Sequence, residues 1–217
     1  VNYYDENAAP VKIPLDRTLA PAQNAQKYYK KYNKQKRTLA AVAPQKEEAL
    51  SDLDYTNSML SALARAENML DLAEIEEELR AAGLLPPLKK KAKQAPAVPF
   101  RAFEKDGFFI FAGRNNVQND RLLREAAGGD IWLHTQKYHS AHVLIRTEGK
   151  KVPDAVLLAA AEICAYFSDG QAGNKIPVDW CERRFVKKPP KSKAGFVVYT
   201  DFKTILADPN RHTELEK

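Results

Sequence analysis

The sequence predicts an α+β protein: a helical arm carrying a small hairpin, followed by a mixed α/β domain of hairpin-connected strands with helices packed on one side of the sheet. Three observations predict it. From Pro21 to Leu63 there is no glycine, and Tyr32, Leu39, Leu53 and Leu60 recur at seven-residue spacing as a heptad seam. After Pro99 the period shortens to β-like runs. Asp106-Gly107, between Phe100–Glu104 and Phe108–Ala112, is a strong hairpin signal.

At the amino end, Val1–Tyr4 and Val11–Leu15 read as a hairpin around Asp5-Glu6-Asn7. The helix that follows starts near Pro21, with a kink or break expected around Ala40–Ala43 because Pro44 lacks a backbone donor. A second helix is expected from Leu70 to Ala82, with Leu72, Ile75 and Leu79 inward, the glutamates from Glu74 to Glu78 mostly outward and Gly83 as its stop. Residues 1–85 then form the arm, and 86–99, rich in Lys and Pro, a semi-extended linker. Residues 100–208 form the α/β domain and 209–217 a tail. Within the domain, helices are expected at Val117–Ala127 and Asp154–Phe167. Strands are expected at Asp130–His134, His142–Arg146, Val178–Val186, Gly195–Thr200 and Thr204–Leu206.

Composition narrows the function. With 44% hydrophobic and 9% aromatic residues the chain is not a disordered one, and no run is apolar enough to span a membrane. The absence of an initiator Met before Val1 reads as excision from a longer protein. Two cysteines, Cys164 and Cys181, suit buried thiols in a reducing cytoplasm. The net charge of +6 is uneven: residues 1–85 hold 11 Lys/Arg against 13 Asp/Glu, whereas 86–217 hold 23 against 15. Such asymmetry favours a polyanionic partner for the second part.

Four groups of residues bear on chemistry. Arg183, Arg184, Lys187, Lys188, Lys191 and Lys193, interleaved with Trp180 and Phe185, are suited to phosphates and bases, or equally to a solvated edge strand. Between strand and helix, the run Gly113–Asp120 offers a helix cap from its Asn and Asp residues and leaves Arg114 for phosphate. Lys27, Lys30, Lys31 and Lys34 crowd the start of the long helix, as an RNA contact or as a solvated face. His134, His139 and His142 cluster within nine residues, but no Cys or carboxylate pair completes a ligand set, so they read as hydrogen-bonding histidines; a metal-dependent enzyme built on them stays as a rival.

The ordered runs Gly113-Arg-Asn-Asn-Val-Gln-Asn-Asp120, Asp130-Ile-Trp-Leu-His134, Arg146-Thr-Glu-Gly-Lys150 and Val186-Lys-Lys-Pro-Pro-Lys191, leading into Gly195-Phe-Val-Val-Tyr-Thr200, closely resemble the C-terminal NFACT-R domain. Upstream, Ile13-Pro-Leu-Asp16, Asn24-Ala-Gln26 and Tyr28–Lys34 resemble the tip and returning arm of that family's central coiled coil. Where relatives carry a Pro-Gly-Ser-His turn, this chain has His139-Ser140-Ala141-His142. The resemblance makes Asn115, Asn116, Asp120, Asp130, Trp132, His134, Ser140 and His142 motif positions. It implies a cytoplasmic ribosome quality control factor, not an enzyme and without a cofactor, that binds the obstructed large ribosomal subunit. Such a factor recruits alanyl-tRNA for template-independent alanine tailing, and the ribosome makes the peptide bond. The older family name implies fibronectin as partner of a surface adhesin, the rival reading. Without the outgoing coiled-coil arm, Leu39, Leu53 and Leu60 are expected to lie exposed or to find another surface, giving self-association or a mobile arm.

Overall fold

The computed structural model describes residues 6–7, 9–87 and 98–217. The Val1–Tyr4 half of the expected hairpin and residues 88–97 of the Lys/Pro linker lie outside them. Two compact units divide the chain, one ending at Asp52 and the other running Leu53–Lys217.

In the first unit, Val11–Leu15 is irregular instead of a strand. The entry to helix α1 (Pro21–Ala64) is fastened by side chains. Asn24, 3% exposed, accepts from the Asp16 amide at 2.8 Å and donates to the Asp16 carbonyl at 2.9 Å, so one side chain imitates a strand partner. Gln23 accepts from the Ala20 amide at 2.9 Å, half of a capping box, and Pro21 occupies the first turn, where no donor is needed. The helix runs through Pro44 without interruption. One missing hydrogen bond on an exposed helix is bridged by the helical turns on either side.

The second unit takes in the end of α1 and helix α2 (Met69–Ala81), which Asn68 caps by accepting from the Leu70 and Asp71 amides. The inward face of α2 differs from the expected one. Asp71, Ile75 and Glu78 are buried, whereas Leu72 is exposed.

The rest is a six-stranded antiparallel sheet of β1 (Arg101–Lys105), β2 (Phe108–Ala112), β3 (Ile131–Thr135), β4 (Val143–Ile145), β5 (Ile176–Glu182) and β8 (Lys203–Ala207), ordered β1-β2-β4-β3-β5-β8. Asp106 and Gly107, with φ of 50° and 75°, make the expected tight turn. Between β2 and β3 lies helix α3 (Asn116–Glu125), and between β4 and β5 helix α4 (Asp154–Tyr166). A two-stranded ribbon of β6 (Val186–Lys187) and β7 (Val198–Tyr199) completes the unit. Alternation along the strands sorts side chains to two cores. Ile131, Leu133, Val143 and Ile145 meet Ala160, Ile163 and Cys164 of α4. Trp132, Leu144 and Cys181 meet Leu122 and Leu123 of α3 and Val186 of the ribbon.

Helices therefore cover both faces, not one. The expected strand Val178–Val186 also divides: the Arg183 and Arg184 amides donate to the carbonyls of Asp130 and Gly128, turning the chain through a short 3-10 segment before it enters the ribbon. The tail is ordered. His212 bonds Glu162 at 2.6 Å, and Glu216 bridges to Phe103 on the free edge of β1.

Candidate nucleic-acid interface

Gly113–Asp120 faces the helical pair inside the second unit. Asn115 caps α3 by accepting from the Gln118 amide at 2.8 Å, while its amide nitrogen donates to Glu74 at 2.8 Å. Gln118 reaches the same carboxylate oxygen at 2.6 Å. Asn116 donates to Ser58 and to Glu78, and Tyr55 donates to the same Glu78 oxygen. Burial holds the Glu78 carboxyl above the usual carboxylate range, its two amide and phenol donors pulling the other way.

Arg114 is engaged in the same joint. Its guanidinium pairs with Glu67 at 3.1 Å and with the buried Asp71 at 3.3 Å, and donates to the Pro99 carbonyl. Arg101, 3% exposed, lies beneath it, bonded to the Arg65 carbonyl and close to Glu67; burial pulls its pKa down to about 10, so it stays charged at neutral pH. The motif thus joins α1, α2 and the sheet through charge-assisted bonds. A carboxylate stripe at helical spacing on α2, Asp71-Glu74-Glu78, was the sequence signal for this joint.

Gly113 and Gly195 serve the same packing. A Cβ on Gly113 would lie 2.1 Å from Asn119 Oδ1, the atom that accepts from the His142 amide. One on Gly195, whose φ is +76°, would lie 2.6 Å from Asn116 Oδ1. Asp120 accepts from the Gly195 amide and pairs with Lys188, tying the ribbon's loop to α3.

The remaining motif positions are internal. Asp130 accepts from the amides of Ala127 and Thr147. Trp132 is fully buried, stacked on His134 with an interplanar angle of 4° and meeting His142 edge-on. Ser140 accepts from the Thr135 amide. Burial lowers the pKa of His134 to about 4 and that of His142 well below the usual histidine value. His139 turns elsewhere, toward Asp54 at 3.7 Å. Among the described residues no three His, Cys, Asp or Glu side chains are grouped to hold a metal ion. Both cysteines are free and buried, and burial pushes the Cys164 thiol up to about 12.

The basic run around the ribbon is differently disposed. Arg183 points inward, donating to the carbonyls of Leu123 and Val186. Arg184 pairs with Glu182 at 2.9 Å and lies over Phe185. Lys187, Lys191 and Lys193 are exposed, the last with its ammonium 5.5 Å from the Tyr55 ring centre. Phe196 and Val198 stand beside them, each 48% exposed. This cationic, partly aromatic ribbon is suited to phosphate and base contact. In the first unit Lys27, Lys30, Lys31 and Lys34 are exposed, with Lys27 3.4 Å from Asp16.

A groove that the sequence reading passed over lies near the first turn of α4. It is a cavity of about 880 Å³ whose walls include Trp180, Leu157, Lys150, Lys151 and Lys203. Its rim is the turn Thr147-Glu148-Gly149-Lys150, in which Glu148 and Gly149 have φ of 50° and 78° and the Lys150 amide donates to the Thr147 carbonyl. The Arg146–Lys150 motif was the available signal.

Residues 1–97 match the family described as NFACT N-terminal and middle domains, and residues 98–200 the NFACT protein RNA binding domain. The chain is 37% identical over its whole length to the Rqc2 homolog RqcH of Bacillus subtilis, covering 38% of that protein. It is 36% identical to the Rqc2 homolog RqcH of Streptococcus pneumoniae, over 96% of this chain and 38% of that one. Among solved structures, the C-terminal part of the fibronectin/fibrinogen-binding protein from Streptococcus suis superposes with a TM-score of 0.82 and 33% identity, over 93% of this chain and 82% of that one. The chain thus spans less than two fifths of the curated relatives' length, and the two family matches together run through residues 1–200: it belongs to the NFACT family.

Proposed function

We propose that this chain is the RNA-docking part of a factor that binds the obstructed large ribosomal subunit and recruits alanyl-tRNA for template-independent alanine tailing of stalled nascent chains. The single observation carrying it is the ribbon: Lys187, Lys191 and Lys193 stand exposed beside Phe196 on a domain matched to the NFACT RNA-binding family. The acids Glu74 and Glu78 of α2 are meanwhile consumed in the internal joint, which leaves the ribbon cationic. The residues hold and orient RNA and make no bond themselves, so the chain works by position in the cytoplasm. Lys27, Lys30, Lys31 and Lys34 would make a separate contact to the ribosome.

Affinity for tRNA and for ribosomal RNA fragments, measured against salt, tests this reading. Lys187→Glu with Lys191→Glu should weaken binding by tenfold or more and flatten the log–log salt slope by about 2. A flat salt dependence in the unaltered chain would overturn the proposal. Fibronectin binding at the cell surface is the second reading, favoured by the name of the Streptococcus suis relative. Finding the intact protein on ribosomes and not on the cell surface would remove it.

A further inference from the structure

The cavity beside α4 has no part in the ribbon. Its lining includes the half-buried Trp180 with Leu157, the cations Lys150, Lys151 and Lys203, and Asp154. Lys203 holds its ammonium 5.4 Å from the centre of the Trp180 ring. A volume of about 880 Å³ falls within the range of pockets that enclose a small ligand.

The charges lining it are not equally available. Asp130 is occupied by the amides of Ala127 and Thr147, Glu182 by Arg184, and Glu148 by Lys150. Among the described residues Lys151, Lys203 and Asp154 make no ion pair. What remains is an apolar floor, one flat aromatic wall with Lys203 over it, and Lys151, Lys203 and Asp154 without an ion-pair partner, while Arg146, also in the lining, lies over Phe111. Helix α4 also opens on Pro153 with no side chain capping its first amides, so its positive end adds to the cations. A nucleobase uses the indole and can offer an N–H to a carboxylate, and its phosphate uses the lysines. An acidic peptide would use the lysines alone and leave the indole unmatched.

We infer that this cavity receives one unstacked nucleotide of single-stranded RNA, its base against Trp180 and its phosphate between Lys151 and Lys203. This rests on the RNA-binding reading and adds a second contact, selective for unpaired strands, apart from the ribbon. A duplex cannot enter, because its bases are held in the stack.

The chain contains two tryptophans, and Trp132 is fully buried, so Trp180 reports the cavity through its fluorescence. The whole chain is titrated with hexamers of oligoadenylate and oligouridylate, with a duplex of the two and with AMP, while anisotropy of labelled RNA follows total binding. Saturable quenching by the single strands is expected, with at least fivefold weaker binding in Lys151→Glu/Lys203→Glu and no quenching in Trp180→Phe. Both lysines are exposed, so their reversal leaves the core untouched. Binding seen by anisotropy without quenching, or unaffected by the two reversals, would overturn the cavity assignment and leave the ribbon intact. Equal quenching by the duplex would also overturn it, as would AMP binding as tightly as the hexamers. No binding of any RNA at low salt would instead overturn the RNA reading itself.

Discussion

The amide of Asn116 donates to the buried carboxylate of Glu78 at 2.9 Å, joining the first turn of α3 to the last turn of α2. The same oxygen receives the Tyr55 hydroxyl at 2.9 Å, so one atom ties three helices.

Glu78→Ala should therefore cost about 1–3 kcal/mol, because it removes the acceptor of the half-buried Tyr55 hydroxyl and leaves one hydrogen of the buried Asn116 amide unpaired. Glu78→Gln separates charge from bonding. The raised pKa means that the carboxyl favours folding below its unfolded value near 4.5 and loses that contribution as pH rises through its folded value. Chemical denaturation from pH 4 to pH 8 should show the glutamine variant gaining on the parent as pH rises.

Arg114→Ala leaves Asp71 buried beside Glu67 without its cation. Removing one member of such a pair typically costs about 3–5 kcal/mol when both are buried, and a partly exposed Arg114 places the loss toward the lower figure. Lysine should recover only part of it, because two acids and a carbonyl are held by one planar fork. Thermal unfolding of both variants checks the order.

His134 and His142 predict acid sensitivity of known sign. In the unfolded chain each titrates near 6.5, whereas in the fold burial brings His134 down to about 4 and His142 well below its usual value. The unfolded state thus binds more protons, and stability present above about pH 6.5 is lost as pH falls toward 4, by up to about 1.4 kcal/mol per pH unit for each ring. His142→Phe should flatten the curve of melting temperature against pH in that window.

Gly195→Ala should destabilise the ribbon. It adds a Cβ that meets Asn116 at 2.6 Å, at a φ of +76° that side chains disfavour. A loss of about 1–3 kcal/mol is expected, with faster amide exchange between Lys188 and Gly195 while the sheet stays protected.

Much of this was legible in the residues. Asp106-Gly107 specified its turn, Pro21 the start of α1 and the apolar run after Pro153 the helix α4, because each signal is local. The inward face of α2 was not, since hydrophobic periodicity cannot see buried carboxylates whose partners, Asn115, Asn116 and Gln118, lie some forty positions onward. Nor was the break after Glu182, where amides of Arg183 and Arg184 bond carbonyls near β3. For the candidate site, the lysines of the ribbon could be named from charge alone. The diversion of Arg114 and Arg183 into the interior could not, because a guanidinium buried against carbonyls and one bound to phosphate read identically in sequence.

The bridge from Glu216 to Phe103 bears on how the chain assembles during synthesis. The β1–β2 hairpin forms from adjacent residues and emerges early, yet the edge of β1 stays open until the tail arrives. Until then the growing chain carries an unpaired template for other strands, the kind of exposure that promotes aggregation. Helix α4 must likewise precede β5 and β8, whose pairings complete the sheet late. A premature stop near residue 200 would thus release a product with both outer edges unfinished, a substrate for the cell's own disposal machinery.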